Sequence, residues 1–299
     1  MIMLNQKNIK LGIAPIGWTN DDLPELGGHI PLEQCLDEMS EAGYAGCEVG
    51  NKYPRDPKTL NDLLQPRKLE IASAWYSTLF TEEKKNETLD GFVDHMNFLK
   101  AMGAKVVVVC ECGFCIQGQK KPIFGHKPVF SEKQWQLLID GLHDIGHLAK
   151  KEGMAIVYHH HMGTGIQNWD EISQLMAQTD PELVSLLADT GHMLFAGSDP
   201  LKLFTEFADR IRHIHLKDIR SDVFNQTRSQ ELSFLDAVKR GVFTVPGDGV
   251  IDFASVFKWI KDRNYCGWLV VEAEQDPAIA NPLEYAKKAR TYINKLTGL

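Results

Sequence analysis

Apolar and polar positions along the chain fall into two alternating registers. Short β-rich runs occupy residues 9–15, 43–49, 69–75, 104–110, 155–159, 184–189, 212–217 and 268–273. Between them lie longer stretches whose apolar residues recur every three or four positions, the spacing of a helix with one buried face. Leu32, Cys35, Leu36 and Met39 make one such face, with Pro31 near its start. Phe92, Met96 and Leu99 make another, ended by Gly103. Ser131 followed by Gln134 predicts a capping box for a long helix through Leu137, Leu138, Leu142 and Ile145, which Gly153 closes. Strands alternating with helices predict a parallel sheet built of βαβ units. Eight units favour a closed (β/α)8 TIM barrel over an open doubly wound sheet, and no G-x-G-x-x-G follows the first run to support a dinucleotide site.

No linker or low-complexity tract interrupts residues 1–299, which read as one catalytic domain. The net charge of −8 argues against a nucleic-acid partner, which calls for a concentrated basic surface. The N-terminal residues lack the charged-then-apolar layout of a signal peptide, and Val106–Cys110, the most apolar short run, is far below the ~20 residues of a membrane helix. The expectation is therefore a cytoplasmic protein with no membrane partner. Its six cysteines read as reduced thiols, and Cys110, Cys112 and Cys115 as structural residues, because no second cysteine pair stands at metal-clip spacing.

In a barrel of this kind the chemistry gathers where the strands end. Here those ends are polar: Glu48, Glu111, His159-His160-His161, Asp189 to His192, His213 to Asp218, and Glu272 to Glu274. A lone strand-end His or Glu is usually a solvated or capping residue. Four consecutive strands ending in His, Asp, His and Glu point instead to side chains converging on one divalent cation. A mixed nitrogen and oxygen set suits Mn2+, Co2+, Zn2+ or Fe2+ better than Ca2+. Alternation puts 159 with 161, 213 with 215, and 272 with 274 on shared faces. Lys217 reads either as a salt-bridge partner or, in a desolvated cleft, as a proton-transfer group. Glu48 reads either as a ligand for a substrate hydroxyl or as the partner of a barrel lysine.

These motifs together resemble the xylose-isomerase-like TIM barrels. The likeness runs from Gly12-Ile-Ala-Pro15 through Asp189-Thr-Gly-His192 and His213-Ile-His215-Leu-Lys217-Asp218 to Pro246-Gly-Asp-Gly249-Val-Ile-Asp252-Phe253. The segments Gly17–Asp22, Tyr158–Thr164 and Val271–Pro277 narrow it to a branch that dehydrates a cyclic keto-polyol. The resemblance implies a metal-dependent lyase of myo-inositol catabolism that converts 2-keto-myo-inositol to a trihydroxycyclohexane-1,2-dione. It also implies Mn2+ or Co2+, and a glutathione requirement that no motif in the chain carries. A homo-oligomer is compatible with it.

Carried across by motif, the ligands are Asp189, His215 and Glu272, with His159 where most relatives have a fifth-strand glutamate and His161 as the alternative. With His159, two carboxylates just neutralise the cation, which makes it a stronger Lewis acid than the usual three-carboxylate site would. Lys217, His192 and His161 are the candidates for acid and base, Lys217 being the first choice for base. Glu48, His192 and Trp18 are the candidate substrate contacts. A ketose isomerase or epimerase of the same superfamily is the alternative activity. A DNA-repair phosphodiesterase is disfavoured by the acidic charge, and a catalytically dead sugar-binding barrel by the intact strand-end ligands.

Overall fold

A computed structural model describes residues 2–299. Eight parallel strands close a barrel: β1 Ile9–Ile13, β2 Gly46–Val49, β3 Glu70–Thr78, β4 Val106–Glu111, β5 Ala155–His159, β6 Val184–Asp189, β7 Ile211–Leu216 and β10 Gly267–Val271. Two short strands, β8 Asp218–Ile219 and β9 Phe243–Thr244, form a separate antiparallel ribbon beyond β7. The predicted eight-strand barrel is the observed one, with β5 and β6 matching residue for residue. The predicted capping box is present on the helix Glu132–Lys151, whose chain reverses at Gly153 with a positive φ of 70°. Among the described residues no helix is long and apolar enough to cross a membrane.

Strand alternation sorts the side chains into two layers. On β5, Ile156 and Tyr158 join the large core beneath the helices, whereas Val157 packs inside the barrel with Val106, Val108 and Leu187. The same alternation sends His159 inward from β5, and Asp189 inward from β6 above Leu187. On β7, Ile214 and Leu216 face the outer core, so His213, His215 and Lys217 form the inward column. The β6–β7 register sets Asp189 directly beside His215. The barrel interior is thus apolar at depth and becomes charged at its carboxyl-terminal mouth.

The loop after β7 is long because it builds a cover. It contains helices Ser221–Ser229 and Phe234–Lys239 and the β8–β9 ribbon, and it packs Ile219, Phe234 and Phe243 in a second core with Met162 and Phe195. Asp218 organises its return. It accepts backbone N–H bonds from Ile219, Gly247, Gly249 and Ile251, at 2.9 to 3.2 Å. A Cβ on Gly249 would come within 2.3 Å of Asp218 Oδ1, so the glycine of this motif is a requirement of close approach.

Glu111, one of the polar strand ends, turns out to have a structural role. Its fully buried carboxylate accepts from Thr78 Oγ1, Phe80 N, Thr81 N, Thr81 Oγ1 and Gly113 N, tying the ends of β3 and β4 to the loops that follow. Removing it strands several buried donors at ~1–3 kcal/mol each before relaxation. Glu111→Ala should therefore lower the unfolding free energy by about 3 kcal/mol or more in urea titrations. A loss below about 1 kcal/mol would contradict this role.

Candidate metal centre and catalytic pocket

Four buried side chains meet at the mouth: His159, Asp189, His215 and Glu272, each offering a ligand-type atom within 4.8 Å of the others. His159 Nε2 lies 3.6 Å from Asp189 Oδ2, and His215 Nδ1 lies 3.5 Å from the same oxygen. His215 Nδ1 and Glu272 Oε2 are in direct contact. Buried polar atoms are ordinarily paired. Asp189 Oδ2, His215 Nδ1 and Glu272 Oε2 have no hydrogen-bond partner, although they point at one another. His159 Nδ1 lies 2.7 Å from the carbonyl of His160, so it carries the hydrogen and leaves Nε2 bare toward Asp189. The bare Nε2 of His159, the Nδ1 of His215 once its proton is displaced, and two carboxylates, all within reach of one point, fit a divalent cation of the Mn2+, Co2+ or Zn2+ type.

The electrostatics have the same origin. Burial raises the Asp189 carboxyl, but Lys217 and His215 outweigh it and hold it down to about 2. Burial likewise opposes charge on His215, yet Glu272 and Glu48 keep its imidazolium form well above the usual histidine range. His159 goes the other way: burial lowers it well below the ordinary value, against the pull of Asp189.

A second group, His161, His192 and Glu274, also has metal-ligand spacing. Its cation is already supplied. Lys217 Nζ lies 3.0 Å from His192 Nε2 and 2.9 Å from both Glu274 Oε1 and Glu272 Oε1, and 4.6 Å from the centre of the Phe243 ring. Lys217 is wholly buried, and those carboxylates, after the cost of burial, keep its ammonium above the usual lysine range. A Cβ on Gly191 would lie 2.5 Å from Lys217 Cγ, so the glycine of Asp189-Thr-Gly-His192 makes room for the lysine stem. Burial pushes Glu274 up to about 7 even with Lys217 beside it.

The pocket in front of the four ligands is a cavity of about 310 Å3. His159, His215, Glu272, Glu48, His161 and Glu274 line it, so the structure brings most of the expected residues to one wall. Four do not reach that wall, among them Asp189, which is fully buried beneath it. Lys217 and His192 are fully buried behind it, with His192 packed on His161 at 3.9 Å between ring centres. Trp18 is a core residue whose Nε1 donates to Glu38 Oε2 at 2.6 Å, outside the cavity. The reason is local: Trp18 caps the short 3-10 turn Pro15–Gly17, which directs the indole under the helix Leu32–Glu41.

Sequence reasoning missed Asp21, Asp22, Arg55, Trp75 and Gln117, which also line the cavity. Trp75 packs edge-on against His159 and His161, 5.4 and 5.5 Å between ring centres. Its place on the third strand was readable, but the run read from sequence stopped at residue 75, short of Ser77, which also lines the cavity, and an indole is not a metal-ligand type. The cysteines are free thiols, and no candidate ligand group among the described residues includes one.

The chain matches the family described as xylose isomerase-like TIM barrel over residues 24–296. It belongs to that family. An inosose dehydratase of Geobacillus thermodenitrificans (strain NG80-2) is 60% identical over 298 residues, 99% of this chain and 100% of that protein. An inosose dehydratase of Bacillus anthracis (strain CDC 684 / NRRL 3495) is 57% identical over the same spans. Among solved structures, the IOLI protein with a binding zinc atom superposes with a TM-score of 0.71 at 17% identity, over 97% of this chain and 100% of that one. That last likeness concerns the fold.

A cation on these ligands must displace the proton held by His215, so binding should tighten as pH rises and should release protons. Calorimetric Mn2+ titrations in buffers of different ionisation enthalpy should give different apparent enthalpies. Asp189→Ala, His215→Ala and Glu272→Ala should each lower the metal bound per chain while the barrel stays folded. Full metal content in all three would remove the site.

Proposed function

We infer that the chain is an inosose dehydratase, a hydro-lyase that converts 2-keto-myo-inositol to a trihydroxycyclohexane-1,2-dione and water. The observation that carries this is end-to-end identity of 57–60% to inosose dehydratases, joined to a polar cavity sized for a six-membered polyol. His159, Asp189, His215 and Glu272 would hold a divalent metal, and we propose Mn2+ or Co2+. When bound, it supplies a Lewis acid for the substrate's carbonyl oxygen.

The chain's own residues supply the proton chemistry. Elimination takes the proton α to the ketone, forms the C=C bond from that electron pair, and expels the β-hydroxyl, which becomes water by taking up the removed proton as the base hands it back. The resulting enol then tautomerises to the diketone. Lys217, expected from sequence to be the base, sits behind the cavity wall, whereas Glu274 lines the cavity and bonds to it. We propose that Glu274 takes the α-proton and that Lys217 and His192 act through it, sharing that proton across their bonds. His161 lines the cavity close to Glu274, with ligand-type atoms of the two within 4.8 Å. Its Nδ1 is 2.9 Å from the Met162 carbonyl, so its Nε2 is bare and receives a substrate hydroxyl. Phe234 and Phe243 cover the buried side and keep water from the Lys217 network.

Metal-stripped enzyme should lose activity and regain it with Mn2+ or Co2+, yielding the ultraviolet-absorbing diketone from inosose. Ketose isomerisation with no turnover of inosose would favour the isomerase alternative. Glu274→Gln and Lys217→Met should both keep metal and lose two or more orders of magnitude in kcat, about the scale of one acid–base group. In D2O, neither variant should exchange the α-proton. Wild-type exchange in Glu274→Gln, with none in Lys217→Met, would return the base to Lys217.

A further inference from the structure

We propose that Glu48 and His213 are positioning residues for the ligand His215, fixing its tautomer and ring orientation instead of gripping substrate. The inference rests on the metal reading above. Glu48 Oε1 lies 3.0 Å from His213 Nε2 and 3.2 Å from His215 Nε2. All three side chains are buried. β2 is flanked by β1 and β3, and β7 by β10 and β6, so these bonds span the barrel interior instead of joining neighbouring strands.

A carboxylate offers acceptors only, so each Nε2 must present a hydrogen to Glu48. A neutral imidazole with its hydrogen on Nε2 has a bare Nδ1. For His215 that bare atom is the one turned to Asp189 and Glu272. Glu48 thus selects the tautomer whose lone pair faces the proposed cation, as carboxylates bonded to the far nitrogen of a metal-bound histidine do. His213, one inward step deeper on β7, spends its Nε2–H on the same oxygen, and its Nδ1 is buried without a partner. Two donors on one oxygen hold that oxygen still. Glu48, His213 and His215 have the spacing of a cation site of their own. Their ring N–H vectors aim at the Glu48 oxygen, however, and not at a shared point between them, and His215 already faces the four-ligand centre.

The test is Mn2+ affinity measured by calorimetry on the metal-stripped full chain, without substrate. Glu48→Ala should weaken Mn2+ by about 10- to 100-fold, the usual cost of losing such a partner. Glu48→Gln, whose amide oxygen can keep both bonds, should recover most of the loss, and His213→Leu should weaken binding in the same direction by less. Wild-type affinity in Glu48→Ala with only a raised KM would overturn the proposal and make Glu48 a substrate contact. Failure of the wild type to bind Mn2+ would instead remove the metal reading itself. If Glu48→Ala does not fold, nitrogen NMR of 15N-histidine in the Zn2+-loaded wild type decides, with His215→Gln for assignment. The hydrogen should be on Nε2 of His215, and a hydrogen on Nδ1 would overturn the proposal.

Discussion

Buried carboxylates need cations, and the mouth of this barrel is arranged around that need. Asp189, Glu272 and Glu274 are withdrawn from water within reach of one ammonium, Lys217. An unpaired buried carboxylate is costly, and breaking one partner of such a set costs more than the set contributes. One ammonium does not balance three carboxylates. The remaining charge is carried by His215, held between Glu48 and Glu272, and, in the function proposed above, by a divalent metal. The cover after β7, the glycine beneath the lysine stem and the carboxylate behind His215 all serve that arrangement.

The pattern explains why side chains of one type have different roles at neighbouring strand ends. Glu111 is buried like Glu272, but it is met by backbone and hydroxyl donors, so it ties loops together and needs no cation. Glu272 is met by His215 and Lys217, and its second oxygen has no donor. What separates a structural carboxylate from a functional one is the set of donors the surrounding loops bring.

That distinction also marks how far the sequence could be read. The barrel was legible because eight β-rich runs alternate with helical spacing, and period-two alternation alone put His159, His215 and Glu272 on inward faces. Lys217 was correctly given an inward direction, but its depth was not readable. Whether it meets substrate or lies behind Glu274 depends on Phe243 and the loop that carries it, 26 residues further on. Trp18 was misplaced for a related reason, since a residue in a matching motif is drawn under a helix by its turn. The pairing of Glu48 with His213 and His215 crosses the barrel and leaves no local signature.

The central claim is that one cation sits between His159, Asp189, His215 and Glu272. Anomalous diffraction at the manganese or cobalt edge, on crystals of the loaded protein, tests it most directly. The account predicts one strong peak at about 2.0–2.3 Å from His159 Nε2, His215 Nδ1 and a carboxylate oxygen each of Asp189 and Glu272. A peak among His161, His192 and Glu274, with the ammonium of Lys217 displaced, would contradict it.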